Sequence, residues 1–367
     1  MVARPLISYA GHRGRELLLH LDRLRQDADL PRLMIMPSVW GVGTSSDLRG
    51  VAVGRALRSL GWRVSIVPPQ LEWRQRRRVV DAERPDIILF QQSRHPHNRP
   101  RLYPGIPCVL DVDDADILGS SERAAAVECC QDSACVIVGN NFLASAVRPY
   151  NESVHVVWTS THLPYVASPN SARARRSVIT WAQLDATSWK HEAEMVREVV
   201  SRVARRAEFE FVLIGERNSQ ASSSYMEALQ RVGVRGRALG PLGYRSYIRE
   251  LGNAAIGLNP SSQETPNGQG RSFGKVLGYI AARVAVVTAN VADYPEFFRH
   301  GSNALLAGES DVAQWTEHCL RLLGDAELRV RLTDQALQDL KERLTTETAA
   351  RRVDGILRKM LAPERVP

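Results

Sequence analysis

The stretch that decides the fold runs from Gly268 to Phe298, GQGRSFGKVLGYIAARVAVVTANVADYPEFF. Its apolar residues Phe273, Val276, Leu277 and Ile280 recur at spacings of three and four, which predicts an amphipathic helix from about Ser272 to Ala282. Val284 to Val287 follows as a short, mostly β-branched run, the composition of a buried parallel strand. The turn from Ala289 to Pro295, ending at Glu296, then brings polar backbone to the carboxyl end of that strand, where open α/β sheets bind their ligands. Ahead of the helix, Asn259 to Gln269 is rich in turn formers and lacks an apolar period, so it reads as a loop. Arg271 and Lys275 fall at the expected helix start, where unpaired N–H groups and the positive end of the dipole favour an anion. The pair reads as a seat for a diphosphate.

Outward from this segment, strands and helices alternate. A surface helix is expected over Arg15 to Gln26, then strands at Leu33 to Met36, Arg63 to Val67, Asp86 to Phe90, Cys108 to Val112 and Val136 to Gly139. Asp47 to Leu60 reads as a helix closed by Gly61, and Asn140 as the cap of a helix reaching Arg148. The polar, proline-containing segment Ser160 to Arg176 interrupts this series, and a second one follows. Its strands are expected at Val178 to Ala182, Phe209 to Ile214, Arg237 to Leu239, Ala255 to Leu258, Val284 to Val287 and Ala304 to Leu306. Helices follow over Val312 to Leu323, Ala326 to Leu340 and Thr345 to Leu361. The fold class is α/β, with two Rossmann-like parallel-sheet domains facing a cleft. The expected division is a first Rossmann-like domain at 1–160, a linker at 161–176, a second Rossmann-like domain at 177–345, and a C-terminal helical segment at 346–367 that packs back on the first domain.

Composition narrows the class. At 367 residues and 44% apolar, the chain is long enough for two cores. The net charge of +8 is carried almost wholly by arginine and suits a phosphate-bearing ligand or an anionic membrane surface, although genomic base composition produces the same bias. Five cysteines, Cys108, Cys129, Cys130, Cys135 and Cys319, form no paired C-x-x-C and read as small apolar residues of a reducing compartment. No apolar run approaches 18 residues, so the expected setting is cytoplasmic, with a peripheral membrane contact left open. The basic run Arg74-Gln75-Arg76-Arg77-Arg78 reads as a solvated helix face. No aromatic residues interleave with a basic sheet face, so a nucleic-acid partner is not expected.

Three features of the first half carry candidate chemistry. Gly41-Val42-Gly43-Thr44 lies between a strand and a helix, where glycine lets backbone N–H groups approach a ligand; it lacks the third glycine of a dinucleotide fingerprint. Asp111-Val112-Asp113-Asp114-Ala115-Asp116 places four carboxylates at a strand end. Three readings stand there: a catalytic or acceptor role for Asp113 and Asp114 through a raised pKa, an Mg²⁺ or Mn²⁺ site of the Asp-x-Asp type, and helix capping. The loop Gln91 to Pro107 carries Arg94, His95 and His97; His95 and His97 alternate as metal ligands do on a strand, but no third ligand is placed, and the segment reads as a solvated polar loop.

In the order of its parts, the chain resembles the GT-B glycosyltransferases of family 4 type, the glycosyl transferases group 1. Val284-Ala285-Val286-Val287-Thr288-Ala289 is similar to the family's "GVPVVAS" strand, Tyr294-Pro295-Glu296 to its "PE" turn, and Gly301-Ser302-Asn303-Ala304-Leu305-Leu306 to "G-x-N-G-L-L". Val136 to Ala144 and Val154 to Thr161 resemble two further segments, so the likeness covers nearly everything after residue 30. It implies transfer of a hexosyl or related sugar from a nucleotide-diphosphate sugar, with retention, without metal or other cofactor, to a small-molecule, glycan or lipid-linked acceptor. Donor contacts are implied for Gly41, Gly43, Thr44, Lys190, Glu264, Arg271, Ser272, Phe273 and Lys275, and an acceptor side for Arg94, His95, His97 and the Asp113-Asp114 pair. Two departures stand out. Gly278 occupies the place of the second glutamate, which contacts the nucleotide's ribose, and Ile179-Thr180-Trp181-Ala182-Gln183 lacks the usual arginine, so the alternative is a GT-B protein that binds a nucleotide sugar or partner without transfer.

Overall fold

The computed structural model describes residues 27, 29–41, 43–119, 121–161 and 176–361. The helix expected at Arg15 to Gln26, Val42 and most of the expected linker lie outside the described residues. The chain divides into two compact units, Met1–Ser160 with Thr346–Pro367, and Thr161–Thr345.

The first unit alternates β1 (Arg32–Pro37), α1 (Ala52–Arg58), β2 (Arg63–Ile66), α2 (Trp73–Glu83), β3 (Ile87–Gln91), β4 (Cys108–Val112), α3 (Arg123–Asp132), β5 (Cys135–Val138), α4 (Asn141–Val147) and β6 (Val154–Val156). The strands are all parallel, in the order β2-β1-β3-β4-β5-β6. Alternate residues of each strand feed two cores, because successive side chains point to opposite faces. Met34, Met36, Ile88, Phe90, Leu110 and Val136 enter one; Leu33, Ile35, Ile87, Leu89, Val109 and Ile137 enter the other. The C-terminal helix Thr346–Leu361 covers the second face with Ala349, Ala350, Val353 and Leu357. It is fixed there by Trp62 Nε1 donating to Asp354 Oδ1 (2.7 Å) and Arg358 donating to the Leu60 carbonyl (2.6 Å).

Two local features depart from expectation. The helix expected from Asp47 begins as a π-helical turn, Ser46–Val51, before becoming α-helical, which turns Arg49 inward. Arg76, at the centre of the supposedly solvated basic run, is fully buried at 0% exposure. Its guanidinium donates to Leu71 O, Pro69 O and Asn98 Oδ1, so carbonyl and amide oxygens replace the water it has lost. Burial pushes its pKa down.

The second unit runs β7 (Val178–Ala182), α5 (Lys190–Ala204), β8 (Glu210–Ile214), α6 (Ser219–Arg231), β9 (Arg235–Leu239), α7 (Tyr244–Leu251), β10 (Ile256–Asn259), α8 (Pro266–Gln269), α9 (Gly274–Ala281), β11 (Ala285–Ala289), α10 (Tyr294–Phe297), β12 (Leu305–Ala307), α11 (Val312–Gly324) and α12 (Ala326–Arg343). Its order is β12-β11-β10-β7-β8-β9, again all parallel. The deciding segment therefore folds as helix, buried strand and turn. Its loop also contains α8, where Thr265 caps the Gly268 N–H and Pro266 occupies the first helical position. Each sheet reverses its winding once, between β1 and β3 in the first unit and between β7 and β10 in the second. The carboxyl ends of such strand pairs are where doubly wound sheets open a crevice.

Candidate functional site

In the second unit, the loops that follow β7 and β10 bring the candidate donor residues together. Gly257 in β10 leaves room for the Tyr279 ring, which would lie 2.6 Å from a Cβ at that position. Tyr279 Oη thereby accepts from Ala182 N (2.8 Å) and donates to Leu258 O (3.0 Å), tying the ends of β7 and β10. Beyond them, the Arg271 guanidinium lies 4.5 Å from the centre of the Trp189 ring and donates to Pro260 O at 2.7 Å. Lys275 Nζ lies 5.5 Å from the same ring and donates to Gln183 Oε1. Both distances are within the range of cation–π attraction.

A buried carboxylate stands beside Arg271. Glu192 Oε1 lies 3.5 Å from Arg271 Nη2 and accepts no hydrogen bond. Glu264, by contrast, is exposed, with its carboxylate 3.8 Å from His191 Nδ1. The first turn of α9 has no side-chain cap hydrogen bond, and Lys275 is its second residue. Arg271 precedes the helix rather than opening it, and Ser272 contributes its carbonyl to Tyr294 Oη (3.4 Å). Phe273, expected on the donor wall, is a core residue: it packs edge-on against Tyr294 and Phe297, with centroids 5.6 and 5.7 Å away. The apolar N-cap is turned into the unit because that aromatic cluster buries it. Lys190 is exposed at the start of α5, and the preceding Trp189 faces the pair instead.

Gly278 shows why a side chain is missing there. A Cβ at 278 would lie 2.9 Å from both Cε1 and Oη of Tyr247, on α7. The tyrosine occupies the space that any larger residue would need. Trp189, Gln183, Glu192 and Tyr247 were not identified from the sequence. A tryptophan three residues ahead of a glutamate is the local signal of this cluster, but nothing local says that Arg271, 82 residues after the tryptophan, folds over it.

At the first unit's sheet edge the carboxylates of the Asp111–Asp116 segment are engaged by arginine. Arg49 grips Asp111 with two hydrogen bonds (2.8 and 2.7 Å) and donates to Val157 O and Thr159 Oγ1. Arg94 donates to Asp116 at 2.7 and 2.6 Å and to Asp114 at 2.7 Å. Asp113 is buried and accepts from Thr159 Oγ1 (3.1 Å). Burial raises its pKa, with Arg49 opposing the shift and Asp114 and Asp111 adding to it. The cluster reads as an arginine-tied carboxylate lattice, and among the described residues no group of three or more His, Cys, Asp or Glu side chains is arranged to hold a metal ion.

The other first-unit candidates are also engaged internally. Asp47 accepts from Gly43 N (2.8 Å), and Thr44 Oγ1 donates to Gly41 O (2.8 Å), so these groups stabilise their own turn. His95 Nδ1 accepts from His97 N (3.1 Å), which places the ring proton on Nε2, 3.0 Å from Pro69 O. Burial, with Arg76 next, pushes the His95 pKa down to about 4. His97 stacks near Trp73, and its pKa is also lowered, first by burial. The two histidines thus form part of an aromatic and arginine cluster with Trp73, Tyr103 and Arg76. All five cysteines are buried and free.

Residues 175–325 match the family described as Glycosyl transferases group 1. Solved structures share the architecture of the whole chain. A glycosyltransferase from Rickettsia africae superposes with a TM-score of 0.69 at 12% identity, covering 92% of this chain and 100% of that one. The Anabaena protein Alr3699/HepE, solved with UDP and glucose, gives 0.67 at 14% identity, covering 89% and 99%. Sucrose-phosphate synthase from Thermosynechococcus elongatus gives 0.66 at 13%, covering 90% and 99%. Among curated proteins, no sequence matches. The fold is therefore GT-B, and its second unit carries the segment similar to group 1 glycosyl transferases.

Proposed function

We propose that the chain transfers a sugar from a nucleoside-diphosphate sugar to an acceptor hydroxyl or amine, with retention of anomeric configuration and without a metal ion. The observation that carries this reading is the convergence of Arg271 and Lys275 on Trp189, at the reversal of the second sheet and inside the matched segment. Departure of the diphosphate is the demanding step, and fixed cations in a preorganised site stabilise the charge that develops. Arg271 offers a planar fork to phosphate oxygens; Lys275 acts as a point charge that exchanges Gln183 for phosphate. Ser272, Glu264 and Lys190 flank the pair and complete the donor side. In the first unit, Asp113 is the carboxyl whose raised pKa suits proton exchange with the acceptor. The complexes named for the Anabaena protein make uridine diphosphate the first donor nucleotide to try.

Binding without transfer is the second reading, and one observation favours it: Tyr247 fills the space beside Gly278, leaving no carboxylate there. A thermal-shift series with UDP and UDP-sugars separates the two when paired with a hydrolysis and transfer assay. Stabilisation that is lost in Lys275→Ala, together with turnover, supports transfer. Stabilisation without turnover supports the binding protein. No stabilisation by any nucleotide, or an equal shift in Lys275→Ala, overturns the donor seat.

A further inference from the structure

Arg271 and Lys275 are both met by one short loop, the connection between β7 and α5. Gln183, at its start, receives Lys275, and its amide is oriented for this because Nε2 donates to Leu184 O (3.0 Å). Trp189, at its end, lies within cation–π range of both cations. Between these two residues the chain makes a single 3₁₀ turn, Ala186–Ser188, entered through Asp185 at φ 48°. That left-handed conformation is rare for a residue with a side chain and persists only where the surroundings enforce it.

The enforcement comes from the end of the neighbouring strand. β7 pairs with β8, and the turn after β8 packs on the loop. Asp185 N donates to Gly215 O (3.1 Å), and Gly215, at φ 109°, approaches so closely that a Cβ there would lie 2.7 Å from Gln183 O. The next residue is a buried carboxylate, Glu216, at 5% exposure. Its Oε2 accepts from Thr187 N (2.9 Å) and Thr187 Oγ1 (2.8 Å), at the centre of the 3₁₀ turn, while Oε1 accepts from Asn218 N (3.0 Å). Burial pushes the Glu216 pKa up, but the hydrogen bonds from Thr187 and Asn218 outweigh it and the net shift is downward, so the carboxylate is held ionised. Hydrogen bonds to an ionised acceptor are about twice as strong as neutral ones. Arg217 reaches the same loop through Asp185, but its guanidinium is largely exposed, and pairs of that kind contribute little.

We propose that Glu216 is a positioning residue of the second unit's cation pair: by fixing Thr187 it holds Gln183 and Trp189 where Lys275 and Arg271 meet them, and so sets the affinity for a diphosphate. Both of its oxygens are committed to the loops, so it acts through Thr187 rather than on the ligand. That a diphosphate is what binds rests on the donor reading; that Glu216 sets the place of Trp189 does not.

The test uses the full chain grown with 5-fluorotryptophan, the Trp189 fluorine resonance being identified through Trp189→Phe, with UDP, ADP and GDP as ligands. Affinity is measured by calorimetry below the unfolding transition of every variant, so a loss of stability alone leaves it unchanged. Glu216→Ala is expected to move the Trp189 resonance and to weaken diphosphate binding about tenfold, the scale on which groups that orient ligand-holding residues act. Glu216→Gln keeps an oxygen for Thr187 and should return both readouts close to the wild type. Thr187→Val keeps the N–H bond and loses the hydroxyl one, so it should fall between, and it carries the test if Glu216→Ala does not fold. Arg217→Ala should leave the resonance in place and the affinity within about twofold. The inference is overturned if the Trp189 resonance is unmoved when Glu216 or the Thr187 hydroxyl is removed, if it moves while diphosphate affinity stays the same, or if Arg217→Ala matches Glu216→Ala. If no nucleoside diphosphate binds the wild type, the donor seat falls, and the resonance alone decides whether Glu216 positions the loop.

Discussion

The reversal points of the two sheets solve the same topological problem with opposite electrostatics. In the first unit, Arg49 and Arg94 are set among four aspartates, and every guanidinium is committed to a carboxylate. In the second, Arg271 and Lys275 share one indole, with the Glu192 carboxylate beside Arg271. The same parallel scaffold thus presents a neutralised edge in one unit and an excess of cation in the other. The donor seat proposed above uses the second.

The largest effect is expected from breaking the neutralised edge. Arg49→Ala strands Asp111 and Asp113 in a buried site, and removing one partner of a buried pair costs about 3–5 kcal/mol. Urea denaturation checks this, and a midpoint within error of the wild type would show that the lattice is not structural. Arg271→Ala leaves Glu192 uncompensated at 4% exposure, so stability should fall by a similar ~3–5 kcal/mol. Adding Glu192→Gln should restore much of the stability while donor affinity stays low. Recovery of both together would deny Arg271 a ligand role and so erase the contrast between the edges.

A smaller effect sharpens the packing side. Gly278→Ala forces a Cβ against Tyr247, and overpacking of this kind costs about 1–3 kcal/mol, partly offset by the roughly 1 kcal/mol that alanine gains over glycine in a helix. A melting temperature that rises would mean Tyr247 swings away freely. The smallest effect is expected at His95. Its folded pKa of about 4 lies below the unfolded value, so neutral His95 contributes stability that is complete above about pH 6.5 and is lost as pH falls towards 4. The pH dependence of the urea midpoint should flatten across that window in His95→Gln. An unchanged profile would place the ring in water.

The sequence revealed the parts of the fold that local pattern controls. Val178–Ala182 is a strand with the expected limits, and Asn140 caps its helix by accepting from Leu143 N (2.8 Å), because both follow from short-range chemistry. Arg271 and Lys275 were legible as candidates for the same reason. What covers them was not. Trp189, Gln183 and Glu192 reach the pair only through the β7/β10 pairing, and no spacing in the chain encodes that meeting. Phe273 and Arg76 were misplaced because residue type was read as exposure. An aromatic at a helix start packed into a cluster, and an arginine in a basic run found carbonyl partners, both through contacts distant in sequence.

The C-terminal helix also carries a consequence for how the molecule is made. The first sheet's second face, with Leu33, Ile35, Leu57 and Trp62, is closed by residues that arrive at 349–357, after the whole second unit. Trp62 and Asp354 are 292 residues apart in the chain. During synthesis the second unit is complete before the first, which must keep an apolar face uncovered until the last helix emerges. Such a nascent chain exposes a surface prone to aggregation for most of its elongation, and its earliest strands are among the last to be sealed.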